Sequence, residues 1–295
     1  MSRKLLAFTL IELLVVIAII GIISGLIVVT MNGVTAKANI AKAQVFSNSL
    51  RNALMLNLVS EWKLDGSGND SWSGGNNGTW YGSAGGTNTS ANYRPSSECI
   101  SGQCLTFDGT DDYVGGVMSG LSSTKRWVFS VWAKTSDTDG YVFDTRTADA
   151  NGASIYISSS SSALLRVYSS SVQKQYSYTV SLSDNQWHYI VATRDSDNSI
   201  SLYVDASLKT SVSKTVDNDI TNFSETWSNF IFATNNAHSG YFLVGFLDEA
   251  RIFNAGVPVS QIKEQYYAGL NNLLINGNIS EEEYLSRINQ TAYGK

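Results

Sequence analysis

The chain has 295 residues, of which 43% are apolar and only 15% charged, with a net charge of −5. This is enough apolar material for a buried core, so wholesale disorder is excluded. With 24 glycines but 2 prolines, a collagen-like or proline-rich fibre is excluded too, and the acidic balance argues against a protein built to grip nucleic acid.

Charge is placed unevenly. Residues 1–60 carry Arg3, Lys4, Lys37, Lys42 and Arg51 against Glu12, a net of +4, while residues 61–295 have a net of −9. A basic, apolar start joins an acidic, polar body rich in Ser, Thr, Asn and Gly, so two environments are implied.

Arg3 and Lys4 precede an apolar run from Phe8 to Val29. As a helix this run reaches about 33 Å, enough to cross a bilayer core of about 30 Å, with the basic flank on the cytoplasmic side. A secretory signal peptide has a shorter apolar core, followed by a small-x-small cleavage site. Here the helical pattern continues through Val34, Ala38, Ala41, Val45, Leu50, Leu54 and Leu58, which predicts one helix from about Phe8 to about Leu58. The stripe over residues 34–58 suits either a coiled-coil stalk or packing on a following sheet. Gly21 and Gly25 allow close helix approach, or are incidental. Glu12 is costly at this depth unless partnered, or unless it reaches the headgroups from the first turn.

The string Lys4-Leu5-Leu6-Ala7-Phe8-Thr9-Leu10-Ile11-Glu12 resembles the processing motif of type IV prepilins and type II secretion pseudopilins. The resemblance implies that a membrane aspartyl peptidase removes a leader, residues 1–7, between Ala7 and Phe8. It also implies methylation of the new N-terminus and neutralisation of that amine by Glu12 within a filament. Cleavage then creates a cation where Glu12 needs one. The family normally has Gly before the cut, where this chain has Ala7.

Beyond Leu58 the helical period disappears. Short runs rich in Val, Ile, Tyr, Phe and Trp predict strands at Tyr113–Val117, Trp127–Ala133, Ser154–Ile157, Leu164–Tyr168, Trp187–Thr193, Ile200–Val204 and Tyr241–Phe246. Many short strands separated by turn residues predict an antiparallel sandwich or barrel. Five strings, in order, are similar to laminin-G-like (concanavalin A-like) jelly rolls. They are Glu61-Trp62-Lys63-Leu64-Asp65; Leu105-Thr106-Phe107-Asp108-Gly109 running on to Tyr113-Val114; Phe129-Ser130-Val131-Trp132; Trp187-His188-Tyr189-Ile190-Val191; and Phe246-Leu247-Asp248-Glu249-Ala250-Arg251. The fold class is thus α+β: a long membrane and filament helix over residues 8–57, a two-sheet jelly roll over 58–268, and a short helical tail over 269–295.

Glycosidases with this sandwich need two carboxylates on one face of a strand or cleft. Asp111-Asp112 and Asp248-Glu249 are adjacent, so on a regular strand each pair points to opposite faces. Glu281-Glu282-Glu283 reads as the first turn of a helix. His188 lies in a strand motif and reads as structural, and nothing in sequence beside His238 suggests a base. No enzyme activity is expected. The resemblance implies an optional structural calcium that ties the first strand to the last through Asp65 and Asp248, with Asp108 as a further candidate. The rival readings are an Asp108-Gly109 turn and an ion pair of Asp248 or Glu249 with Arg251. No other cofactor is expected. Trp72, Trp80 and Trp227 sit in polar loops and are candidate sugar-binding faces. Trp62, Trp127, Trp132 and Trp187 read as core. In the oxidising surroundings of an exported body, Cys99 and Cys104 are expected to bridge, with two free thiols as the alternative.

In the tail, Ser260–Ala268 reads as helix with Gly269 as its stop. A second helix follows Asn276-Gly277-Asn278, with Ser280 as N-cap and Glu283 in the capping-box position. The pair is either a docking element or a terminal ornament. Together these features imply a type IV pilus-like subunit that displays an adhesive, lectin-like domain. The implied partners are other copies of itself, the prepilin peptidase, the assembly machinery and a glycan or surface ligand. The chain is first single-pass in the cytoplasmic membrane, then on the cell surface. A pseudopilin of a secretion or DNA-uptake system and a membrane-tethered carbohydrate-binding protein are the alternatives.

Overall fold

The computed structural model of the chain describes residues 10–11, 13–21, 57–72, 75–82, 93–121, 126–146, 151–169, 172–194, 200–216 and 227–293. The chain divides into two units, Met1–Ala53 and Leu54–Lys295. In the first unit residues 10, 11 and 13–21 are helical (α1, residues 13–21), and Leu10, Ile11, Leu13, Leu14, Ile17 and Ile20 are exposed. A helix that is apolar on every side is stable under lipid or protein cover rather than in water. Among the described residues no helix is long and apolar enough to cross a membrane. Most of the expected long helix, with Ala7, Phe8 and Glu12, lies outside the described residues.

In the second unit the described strands form two antiparallel sheets. The first runs β13 (Ser207–Lys209), β12 (Ile200–Val204), β11 (Trp187–Arg194), β6 (Trp127–Thr135), β16 (Val244–Phe253), β4 (Cys104–Asp108) and β3 (Tyr93–Arg94), with β1 (Leu58–Trp62) also paired to β16. The second runs β14 (Ser211–Val216), β10 (Val172–Thr179), β9 (Ser162–Ser169), β8 (Asn151–Ser159), β7 (Gly140–Asp144), β15 (Asn229–Phe232), β5 (Tyr113–Val117) and β2 (Thr79–Tyr81).

Side-chain alternation explains why these strands pack in layers. In β6, Trp127, Phe129, Val131 and Ala133 face the core between the sheets, while Val128 and Trp132 face a second cluster on the other side. In β11, Ile190 and Ala192 face the inter-sheet core, and Trp187, Tyr189 and Val191 face the second cluster. A strand buried on both faces reads as a nearly continuous apolar run rather than an alternation. Strands of the second sheet alternate instead: Ala153, Ile155 and Ile157 in β8, and Ala163, Leu165 and Val167 in β9, point inward. Asp205 and Ala206, at φ 54° and 57°, form the two-residue turn between β12 and β13, as hairpins with both central residues at positive φ do.

The outer face of the first sheet is closed by helices. α2 (Val259–Ile275) buries Ile262, Tyr266, Leu270 and Leu273 in the second cluster, and Tyr266 stacks on Trp132 at 5.7 Å. The expected helix stop at Gly269 is overturned. The helix continues through it; a Cβ there would lie 2.2 Å from Trp132 Cζ2, so Gly269 marks a close approach to the sheet rather than a stop. The helix ends instead at Asn276, followed by Gly277 at φ 76°. α3 (Glu281–Tyr293) begins with the expected cap, Glu283 N–H donating to Ser280 Oγ at 3.1 Å. Arg287 Nη1 donates to Trp187 O at 2.8 Å, so the hairpin is docked on the sheet. The strand expected at Tyr241–Phe246 starts at Val244, because Tyr241 at φ 57° is still in the preceding turn.

Candidate functional site

Two of the expected metal carboxylates converge on one short loop. Cys99 and Cys104 are disulfide-bonded, and the loop they close is clasped from two sides. Asp248 on β16 is fully buried, and its Oδ2 accepts from Ile100 N–H at 2.8 Å and Ser101 N–H at 3.1 Å. Asp65, in the turn after β1, accepts from Gln103 N–H. Trp187 Nε1 donates to Glu98 O at 3.0 Å, and the side chains of Asn276 and Asn278 each donate to Cys99 O at 3.3 Å. First strand, last strand and helical hairpin all meet at this loop.

Asp248 is electrostatically anomalous. Burial pushes its carboxyl well above the usual carboxylate range, and the charges of Glu249 and Asp65 push the same way. Its Oδ1 is buried with no hydrogen-bond partner. A buried carboxylate oxygen in that position requires a proton or a cation. The disulfide removes both sulfurs near Asp248 as thiolate ligands, leaving the Asp248 carboxylate as the one ligand of that group. Asp108 belongs elsewhere. It groups with Asp111 and Asp112, and these acids knit the turn from β4 to β5: Thr110 N–H donates to Asp108 Oδ1 at 2.8 Å and Asp108 N–H to Asp112 Oδ2 at 3.1 Å.

The last strand departs from regular geometry where the adjacent acids lie. Its register against β6 shifts between Asp248 and Arg251, and Glu249 sits at φ 50°. Both acids are buried rather than split between a wet and a dry face. Glu249 pairs with Arg251, which also binds Glu61 on β1 at 2.8 Å; Asp248 does not join them. Burial pushes Glu61 up, but Arg251 beside it holds its carboxyl below the usual range.

The tryptophans divide differently from the expectation. Trp80 and Trp227 are core, at 5% and 1% exposure, and offer no open face for a sugar. Trp80 is the inward residue of three-residue β2 and stacks near Phe107 at 5.3 Å. Trp227 precedes β15 and lies 5.0 Å from Trp127. Trp72 is half-buried, with its backbone N–H donating to Asp70 Oδ1 at 2.9 Å. Trp62, Trp127, Trp132 and Trp187 are core, as expected.

His188 is held by carboxylates at both ring nitrogens: Nδ1 to Asp205 at 2.7 Å and Nε2 to Asp184 at 3.0 Å. Burial lowers its pKa, but the two acids outweigh burial and leave it at about 9. With both nitrogens engaged it acts as a staple between β11 and the β12–β13 turn rather than as a base. Because its folded pKa is raised, its contribution is fully present below the unfolded value of about 6.5 and is lost as pH rises through about 9. Thermal melts should therefore show stability on the order of 2 kcal/mol draining away between pH 7 and 10. His188→Gln should melt lower at pH 6.5 and show a flatter profile over that window.

Comparison with known proteins adds two matches. The family described as the concanavalin A-like lectin/glucanases superfamily matches residues 108–263, and the prokaryotic N-terminal methylation motif matches residues 3–28. No curated protein matches significantly. Among solved structures, domain 4 of AbnA, an extracellular GH43 arabinanase from Geobacillus stearothermophilus in complex with arabinotriose, is 18% identical with a TM-score of 0.53. That alignment covers 70% of this chain and 97% of the domain. The botulinum neurotoxin serotype G binding domain is 14% identical, with a TM-score of 0.54 over 72% of this chain and 51% of that one. A type C botulinum neurotoxin structure, from a toxin whose cell entry depends on two ganglioside molecules, is 12% identical, with a TM-score of 0.53 over 74% and 53%. This chain spans about half the length of the neurotoxin domains. At these identities the likeness is one of fold.

Proposed function

Because this chain belongs to the concanavalin A-like lectin/glucanases superfamily and opens with the prokaryotic methylation motif, we propose that it is a type IV pilus-like filament subunit displaying a sugar-binding sandwich. The observation that carries the reading is the order of the two matches on one chain, a motif for membrane insertion and assembly followed by a domain of lectin fold. On this reading the precursor sits in the cytoplasmic membrane. The peptidase cuts between Ala7 and Phe8, and the assembly machinery stacks the helices with Glu12 meeting the new amine of a neighbouring copy. The role is structural and adhesive rather than enzymatic.

The test is Glu12→Ala, followed by electron microscopy of cells labelled with antibody to residues 60–268. The parent should show label on fibres, and Glu12→Ala should lose fibres while retaining membrane protein. Label confined to the envelope in the parent would favour a pseudopilin, and fibres unaffected by Glu12→Ala would overturn the reading.

Calcium belongs to the same proposal. Asp248, through its unpartnered Oδ1, and Asp65 would hold the ion, which would neutralise their charge and fix the disulfide loop to both ends of the sandwich. At calcium a hundredfold above Kd, about 2.7 kcal/mol is expected, or roughly 5–10 °C in melting temperature. Melting in calcium should exceed melting in chelator by that amount, and Asp248→Asn should abolish the difference. Identical melts in calcium and chelator would reject the site.

A further inference from the structure

The outward face of the second sheet carries a cluster that the metal and disulfide chemistry does not use. Tyr141 and Tyr156 are directly paired across β7 and β8, with ring centroids 4.8 Å apart. Tyr241 meets both edge-on, at 6.1 and 5.8 Å, and is 48% exposed. Arg166 on the neighbouring β9 lies over the Tyr156 ring at 4.9 Å. Its Nη1 donates to Tyr141 Oη at 2.7 Å, and its Nε donates to Gln175 Oε1 on β10 at 2.8 Å. These residues alternate with the inward Ile155, Leu165 and Val167, so the sheet pleat itself places them together on the face away from the core.

Arg166 is positioned entirely by neutral groups. Among the described residues, Arg94, Arg146, Arg251 and Arg287 are each joined to a carboxylate, and no carboxylate is joined to Arg166. A guanidinium immobilised on a ring and ion-paired directly to no carboxylate is preorganised for an anion and favours a planar carboxylate that can take two parallel N–H donors. The Tyr156 hydroxyl is taken, donating to Asp139 Oδ1, so the exposed Tyr241 supplies what a sugar needs beside Arg166: a flat apolar face for C–H groups and a hydroxyl for hydrogen bonds.

We infer that this face binds a carboxylate-bearing sugar, with Arg166, held by Tyr141 and Tyr156, taking the carboxylate and Tyr241 packing on the ring. The inference rests on the reading of the sandwich as sugar-binding and assigns the face and the ligand class. Uronic acids and sialic acids share the required chemistry, and paired probes separate them.

The experiment titrates full-length protein in detergent with 3′-sialyllactose against lactose, and with trigalacturonic acid against its methyl ester, read by calorimetry. In at least one pair the acid should bind tenfold or more tighter than its neutral partner, with the preference shrinking at high salt. The pair showing the preference identifies the sugar source. Arg166→Gln should erase the preference while leaving weak neutral binding, and Tyr241→Ala, an exposed position, should weaken both members of the pair about tenfold. Should Arg166→Gln fail to fold, Tyr241→Ala remains decisive, since unchanged affinity there overturns the site. Neutral sugars bound as well as acidic ones, or an acid preference surviving Arg166→Gln, would overturn the ligand class while the sugar-binding reading stands. A parent that binds no member of a broad glycan array would overturn the sugar-binding reading itself, and with it this site.

Discussion

Arg251→Ala is expected to destabilise the sandwich by about 3–5 kcal/mol, because it strands two buried carboxylates. Arg251 binds Glu61 on the first strand and Glu249 on the last, and both acids are largely buried. Removing the cation does not merely delete two ion pairs. It leaves Glu61 and Glu249 desolvated and uncompensated beside Asp248, which is already burdened by the Glu249 charge. The cost should shrink in acid. Glu61 has a lowered folded pKa, so its contribution is present above the unfolded value and is lost as pH falls through the folded one. Urea unfolding of parent and variant at pH 7 and pH 4, followed by tryptophan fluorescence, checks both statements. A difference under about 1 kcal/mol at pH 7 would show that the triad is not under strain from burial.

Trp62→Ala should cost a similar 3–5 kcal/mol by a different route. Trp62 is fully buried at the end of the first strand, with Phe230 at 4.4 Å and Phe232 at 5.3 Å, both from the opposite sheet. Its Nε1 donates to Asn76 O at 2.8 Å, and Asn76 in turn receives Ser119 N–H at 2.8 Å and donates to Ser60 Oγ at 2.5 Å. Truncation therefore opens a cavity between the sheets and frees the loop that leads to β2. For a domain of this size such a loss lowers the melting temperature by roughly 10 °C. Trp62→Phe should recover most of the packing but not the hydrogen bond, leaving a deficit of about 1 kcal/mol. Unlike Arg251→Ala, neither Trp62 variant should depend on pH.

The strands were legible because alternation and β-branched or aromatic residues act locally. Tyr113–Val117 and Ile200–Val204 occupy the expected positions, the Ser280 cap was readable from spacing, and the cysteine pair followed from the oxidising surroundings of an exported body. What escaped the sequence depends on partners far along the chain. Trp80 and Trp227 look like loop aromatics, and only their register against Phe107 and Trp127 shows that they are inside. Gly269 looks like a helix stop until Trp132 is placed beneath it. The bulge that buries both Asp248 and Glu249 has no local signal, since neither residue is glycine. The tyrosine and arginine face did leave a trace: Tyr156 in β8 and Arg166 in β9 sit at outward positions. The trace becomes meaningful only once neighbouring strands bring those positions side by side.

The pairing of β16 also sets a timetable. This strand is the last of the described strands to leave the ribosome, yet β1, β4 and β6 all hydrogen-bond to it. Among the described residues the strand that pairs with β1 thus arrives only after nearly two hundred further residues have emerged. Non-local closure of this kind is slow and leaves unpaired edges waiting. On the proposed reading, with the N-terminus held in the membrane, the sandwich would close only once its last strand had followed the rest.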